Sequence, residues 1–104
     1  MVIANQIYST KALKEATMIQ QTVKINNKAG LYAQPVNQLV QAASQFNSDI
    51  FLTHNGRTVS VKSVLGVLSL AIPKQAEITL EVSGDDENEA IKEVLQTLKK
   101  FENK

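Results

Sequence analysis

Hydrophobic residues along this chain switch several times between the spacing of a strand and the spacing of a helix. Ile19, Val23 and Ile25 fall on one side of an extended segment, which predicts a first strand over residues 19–26. The spacing then becomes that of an amphipathic helix, with Pro35 in its first turn, where the missing N–H costs nothing. The apolar positions of this helix are Val36, Leu39, Val40, Ala43 and Phe46.

Two short β-patterned runs follow, at residues 49–53 and 58–61. The segment between them contains Asn55-Gly56, and both residues accept the positive φ angles of a type I′ turn. The pattern therefore predicts an antiparallel hairpin. His54 is interpreted as an ordinary residue of this turn.

A short apolar helix is predicted directly after Ser63, whose hydroxyl can accept hydrogen bonds from free N–H groups at the helix start. Gly66 in so short a helix costs about 1 kcal/mol relative to alanine, which indicates a close approach by another group. Pro73 prevents the helix from continuing. The apolar residues form two groups, of which one must face the core while the other is free to be exposed: Val64, Leu65 and Leu68, and Val67, Leu70 and Ala71.

The last part of the chain predicts a strand and a long helix. Ala76, Ile78, Leu80 and Val82 alternate with polar residues, as in a strand with one buried face. Acidic residues at 85–87 suit the N-terminus of the helix that follows. The element order βαββαβα predicts an α+β fold: a four-stranded antiparallel sheet with three helices on one face and solvent on the other.

Length and composition favour a single domain. The chain has 104 residues, of which 43% are hydrophobic, enough for one core and too few for two ordinary domains. We assign the domain to residues 18–104. Residues 1–17 form an N-terminal extension, either helical or disordered, with a thin apolar stripe from Ile7 and Leu13.

Charge and chemistry exclude several classes of function. Eleven basic residues balance ten acidic ones without a block of like charge, so neither a nucleic-acid nor a membrane partner is expected. Disulfides and thiol chemistry are unavailable because the chain has no cysteine. A single histidine excludes a multi-histidine metal site, and we expect neither a metal nor a cofactor. The simplest interpretation is a cytoplasmic protein.

Four motifs follow one another along the chain: Gly30-Leu31-Tyr32-Ala33-Gln34-Pro35, Ser48-Asp49-Ile50-Phe51-Leu52, Asn55-Gly56-Arg57-Thr58-Val59 and Lys62-Ser63-Val64-Leu65-Gly66-Val67-Leu68-Ser69-Leu70. In this order they resemble the HPr family, the histidine-containing phosphocarriers of the bacterial sugar phosphotransferase system. The resemblance runs from about Met18 to Lys100 and implies an open-faced β-sandwich, in agreement with the element order.

The resemblance also implies that the phosphocarrier position is degenerate. The family motif reads Gly-(Ile/Leu)-His-Ala-Arg-Pro, and here Tyr32 stands for the histidine and Gln34 for the arginine, while Pro35 is kept. Tyrosine would give a stable phosphate ester, and glutamine cannot clamp a phosphate as arginine does. The chain more closely resembles the non-carrier branch, catabolite repression HPr. That branch has glutamine for the histidine but keeps the arginine, so the chain matches neither pattern fully.

The family's second site, a regulatory serine, is intact at Ser63. The resemblance implies that an HPr kinase/phosphorylase modifies it, and that the product binds a catabolite control repressor or another regulatory target. The residues that the resemblance places at this partner surface are Tyr32, Gln34, Lys62, Val64, Leu65 and Leu68.

We therefore expect a regulatory protein that is not an enzyme and acts in carbon catabolite regulation, as a monomer or a strand-swapped dimer. Two alternatives remain open. One is a phosphocarrier in sugar transport that uses some other residue, and the other is a protein-binding module that is never modified.

Overall fold

Residues 18–102, which this computed structural model describes, form four strands and three helices in the predicted order. The predicted extension lies outside the described residues. The elements are β1 (Ile19–Lys24), α1 (Ala33–Ser44), β2 (Asp49–His54), β3 (Arg57–Ser60), α2 (Val64–Ser69), β4 (Glu77–Ser83) and α3 (Glu87–Lys100).

The four strands make one antiparallel sheet in the order β1-β4-β2-β3. The central strands β4 and β2 pair with each other, so that Val82 lies opposite Ile19 on one side and Ile50 on the other. This arrangement confirms the predicted fold class. It also leaves β1 and β3 as the two edges of the sheet.

The core lies between one face of the sheet and the three helices. Alternation along β4 buries Ile78, Leu80 and Val82 on this face and turns Thr79 and Glu81 to the other. The helices contribute one apolar stripe each to the same core. Their fully buried members include Val36 and Leu39 of α1, Val67 of α2, and Ala90 and Val94 of α3.

Local differences from the prediction lie at the ends of elements. Helix α1 ends at Ser44, so Phe46 is a half-buried residue beyond the helix. His54 belongs to β2 and pairs with Arg57, while the predicted turn is confirmed at Asn55 and Gly56, with φ angles of 51° and 79°.

Asp86 connects the start of α3 to the loop that follows α1. Its position is that of a helix cap, yet its side chain makes no cap bond and instead accepts hydrogen bonds from this loop. The donors are the Ser48 hydroxyl at 2.5 Å, the Ser48 N–H at 2.9 Å and the Asn47 N–H at 2.9 Å. The Ser48 hydroxyl, and next the Asn47 N–H, hold the pKa of the Asp86 carboxyl below its ordinary value.

This lowered pKa predicts an acid-sensitive contribution to stability. The contribution is complete above about pH 3.9, the carboxyl pKa in an unfolded chain, and is lost as pH falls through the lower pKa of the folded state. Urea unfolding should therefore show wild type more stable than Asp86→Asn at pH 7, with a difference that shrinks at pH 3. Asp85→Asn removes the same charge one residue earlier and is the control. A difference that stays constant with pH would contradict the assignment.

Candidate functional site

Ser63 caps α2 and is exposed. Its backbone is extended, with φ −116° and ψ 112°, and its Oγ accepts a hydrogen bond from the Gly66 N–H at 3.0 Å. A Cβ atom on Gly66 would lie 3.1 Å from this Oγ, so the close approach predicted at Gly66 is made by Ser63 itself. The Ser63 hydroxyl donates to no acceptor within residues 18–102.

The two apolar groups of α2 separate only in part into a buried and an exposed one. Val67 and Leu70 of one group are buried, whereas Leu65 of the other has 79% of its surface exposed. Val64 and Leu68 are half-buried and pack against the core beside Leu65. We call Val64, Leu65 and Leu68 the α2 patch. Ala71, which the sequence pattern groups with Val67 and Leu70, is exposed because α2 ends at Ser69 and the chain turns away with a φ of 48°.

Tyr32 precedes α1 at the capping position, but its side chain makes no cap bond and is 43% exposed. Gln34 is also exposed, whereas Pro35 is buried. The loop before them is held against the segment that follows α2, because the Leu31 N–H donates to the Ile72 carbonyl at 3.0 Å. The Asn27 side-chain amide donates to the Gly30 carbonyl within the same loop.

Helices α1 and α2 pack against each other. The phosphocarrier position at the start of α1 and Ser63 at the start of α2 therefore lie on the same layer. No hydrogen bond in the described part of the chain joins Tyr32 or Gln34 to Ser63. Lys62, predicted at the partner surface, donates from Nζ to the Phe46 carbonyl at 2.7 Å. Its ammonium group therefore holds the loop after α1.

Arg57 is a residue near α2 that the sequence interpretation missed. Its guanidinium donates to the Ser69 carbonyl at 3.1 Å and to the Ser69 Oγ at 3.3 Å. The Ser69 hydroxyl in turn donates to the Gly66 carbonyl at 2.6 Å. A cation that binds carbonyl groups at the C-terminal end of a helix is favourable. Arg57 and Val59 are two residues apart on β3, so their side chains share a face of the sheet, and Val59 packs against the core. This alternation was the feature of the sequence that could have placed Arg57 on the helix side.

The exposed side chains of these residues offer a hydroxyl, an aliphatic group and a phenol. An exposed serine, an exposed leucine and an exposed tyrosine lie on the helical layer. Within residues 18–102, no three His, Asp or Glu side chains come together in a group that could hold a metal ion. None of the helices in that range is both long and apolar enough to span a membrane.

Comparison with known proteins defines the class. The family model described as "PTS HPr component phosphorylation site" matches residues 19–100. This chain therefore belongs to the HPr family, whose members are phosphocarrier or regulatory proteins.

Individual relatives include both types. The HPr-like protein Crh of Bacillus subtilis is 43% identical over 77 residues, which cover 74% of this chain and 91% of that protein. The crystal structure of phosphocarrier protein HPr from Bacillus anthracis superimposes with a TM-score of 0.73 at 39% identity and covers 77% of this chain and 95% of that one. The crystal structure of Bacillus subtilis Crh, described as a swapped dimer, gives a TM-score of 0.64 at 37% identity and covers 83% and 99%.

Proposed function

We propose that this chain is a regulatory HPr-like protein that is phosphorylated on Ser63 and acts through protein–protein binding in carbon catabolite regulation. The observation that carries the proposal is the exposed Ser63 hydroxyl, which lies next to the exposed Leu65 on α2. The phosphoryl donor is ATP or another phosphoryl compound, used by an HPr kinase/phosphorylase. The similarity to Crh, the catabolite repression HPr of Bacillus subtilis, supports the same role.

Phosphorylation at this position changes the charge of a partner surface without a need for refolding. A phosphate adds about −1.5 to −2 charges and three acceptor oxygens to the start of α2. The α2 patch beside it supplies apolar contact area, and Tyr32, Gln34 and Lys62 complete the proposed surface. Apolar anchors surrounded by polar groups are the usual arrangement of a protein interface. The partner is a catabolite control repressor or another regulatory target.

A histidine phosphocarrier is the less favoured alternative. Tyrosine has an ordinary pKa of about 10 and forms a phosphate ester that is a poor donor, whereas a phosphoryl group on histidine is transferred readily near neutral pH. Gln34 offers no charge to hold the phosphate. Tyr32 and Gln34 therefore contribute to binding partners and not to group transfer.

The kinase reaction tests the proposal directly. Incubation with HPr kinase and ATP should add one phosphate to the wild-type protein, and peptide mapping should locate it at Ser63. The variant Ser63→Ala should gain none, while Ser69→Ala, a serine on the same helix, should be modified like wild type. No added phosphate, or phosphate that persists in Ser63→Ala, would end the proposal.

Leu65 distinguishes the regulatory protein from a binding module that is never modified. Its 79% exposure favours a role in binding under either function. Leu65→Asp should abolish capture of the repressor by the phosphorylated protein. If instead partners are captured equally by wild type and Ser63→Ala, but lost in Leu65→Asp, the unmodified binding module is correct.

We further propose that the protein works in the cytoplasm as a monomer or as a dimer that exchanges β1. Within residues 18–102 this strand lies at the edge of the sheet and pairs with β4 alone, from Ile19 opposite Val82 to Lys24 opposite Glu77. An edge strand that precedes the rest of the domain can pair with β4 of a second copy without rearranging the other strands. Light scattering across a concentration series distinguishes the two states.

A further inference from the structure

The sheet face that points away from the helices carries two large apolar side chains. Phe51 is 39% exposed and alternates with Ile50 and Leu52, which are buried under the helices. Met18 is 55% exposed and directly precedes Ile19, which packs against the core. Side chains alternate along an extended segment, so Met18 lies on the same open face as Phe51.

Around Phe51 this open face is regular and polar. The register places four threonines in one row across all four strands, with Oγ1 atoms 3.3 Å apart in one outer pair and 2.7 Å apart in the other. The neighbouring row contains Phe51 next to Glu81. The threonines, from β1 to β3, are Thr22, Thr79, Thr53 and Thr58.

The open face is acidic as well as partly apolar. Asp49, Glu77 and Glu81 project from it, by the same alternation that buries their neighbours, and Lys24 is the one ammonium group on these four strands that faces them. A segment that covers this face should therefore bring apolar side chains for Phe51 and positive charge for the carboxylates.

We propose that residues 1–17 of this chain dock on the open face of the sheet. They join the domain at Met18, whose exposed side chain lies on the same face of the sheet as that of Phe51. They carry Ile7 and Leu13 as apolar residues and Lys11 and Lys14 against the single acid Glu15. The family match begins only at residue 19, so this segment is additional to the domain shared with the relatives.

The length of the segment suits the face. Met18 and Phe51 are separated by two strand spacings across the sheet and a two-residue step along it, a straight-line distance of about 12 Å. Seventeen residues reach about 25 Å as a helix and about 55 Å when extended, so either conformation spans the distance. Leu13 is close enough in sequence to Met18 to contact Phe51, and Lys14 to reach Asp49.

A groove between β1 and α3 is the competing surface. It is lined by Val23, Leu95 and Leu98 among others, with a volume of about 190 Å³. It opens at the Lys24 end of β1, whereas residues 1–17 enter at the opposite end of that strand. Their point of entry favours the open face.

Paramagnetic relaxation in solution tests the proposal, because the chain has no cysteine and Ala12→Cys gives a single site for a spin label. In the full-length labelled protein, the amide signals of Phe51, Thr53 and Thr79 and the methyl signals of the two threonines should lose more than half of their intensity. Signals of Gln38 and Gln41 on α1 should keep theirs. Adding Glu81→Lys should reduce the broadening at least two-fold, whereas Glu93→Lys on α3, the same charge change in the helical layer, should leave it unchanged.

The other outcomes overturn the proposal. Broadening concentrated at Leu95 and Leu98 would place the segment in the groove, and broadening at Tyr32 and Leu65 would place it over the partner surface. Broadening that appears only between labelled and isotope-enriched copies in a mixed sample would assign the face to a second copy. Uniform weak broadening would mean that the segment docks nowhere.

Discussion

Replacing Tyr32 with histidine and Gln34 with arginine together should give a protein that accepts phosphoryl from enzyme I, which we expect the wild type not to do. Tyr32 lies exposed immediately before α1, and Gln34 is exposed two residues later, so both new side chains would be accessible to a partner enzyme. Histidine supplies a nucleophile that titrates near neutral pH. Arginine supplies paired donors for the phosphate oxygens.

The single substitution Tyr32→His should accept phosphoryl only slowly. A charge-assisted hydrogen bond contributes about 1.5–3 kcal/mol, so the arginine should raise the rate of acceptance by about 10- to 100-fold over Tyr32→His alone. The measurement is acid-labile phosphate formed from phosphoenolpyruvate and enzyme I. Tyr32→Phe is the control, since it should remain as inactive as wild type. Acid-labile phosphate on the wild-type protein would show instead that it is a carrier that uses another residue.

Gly30→Ala should destabilise the domain by about 3 kcal/mol, through left-handed backbone strain and overpacking together. Gly30 has a φ of +72°, and a Cβ there would lie 2.8 Å from the Pro73 carbonyl carbon and 2.9 Å from the Lys74 nitrogen. These are backbone atoms that cannot rotate away. The loop that carries Tyr32 would have to separate from the segment after α2, so the same change should weaken partner binding.

Gly56→Ala is the matched control for this substitution. Gly56 has a similar φ of +79°, but a Cβ there would meet nothing within 4 Å. It should therefore cost only the backbone strain, about 1 kcal/mol. Thermal unfolding should show a decrease in Tm of about 15 °C for Gly30→Ala and about 5 °C for Gly56→Ala. Equal decreases in Tm would mean that the close contact of residue 30 with residues 72–74 adds nothing to the cost of the substitution.

Much of the fold was predictable because the relevant signals are short in sequence. The hairpin at Asn55-Gly56 depends on two adjacent residues that tolerate positive φ, and the structure confirms it. The Ser63 cap depends on a hydroxyl three residues before the N–H that it binds. Hydrophobic spacing placed every strand and helix, with errors only at their ends, as at Phe46 beyond α1.

For the candidate site, the sequence indicated which side chains are exposed but not the contacts that hold the others. Ser63 and Leu65 are exposed as expected, because a short helix with two apolar groups can bury only one. Lys62 was expected to face partners, yet its ammonium binds the Phe46 carbonyl, 16 positions away in the sequence. The acceptor is a backbone carbonyl, a group that every residue has, so no pattern of side chains could have indicated this hydrogen bond.

By itself, the sequence of this protein determined the order of its elements, the face that each one buries, the turn at Asn55 and the cap at Ser63. Only the tertiary structure decided the longer connections, such as Asp86 to Ser48 across 38 positions and Arg57 to Ser69 across 12. The physical reason is range: periodicity, turns and caps depend on groups a few residues apart. A polar side chain finds a distant backbone partner only after packing of the core has brought the two together.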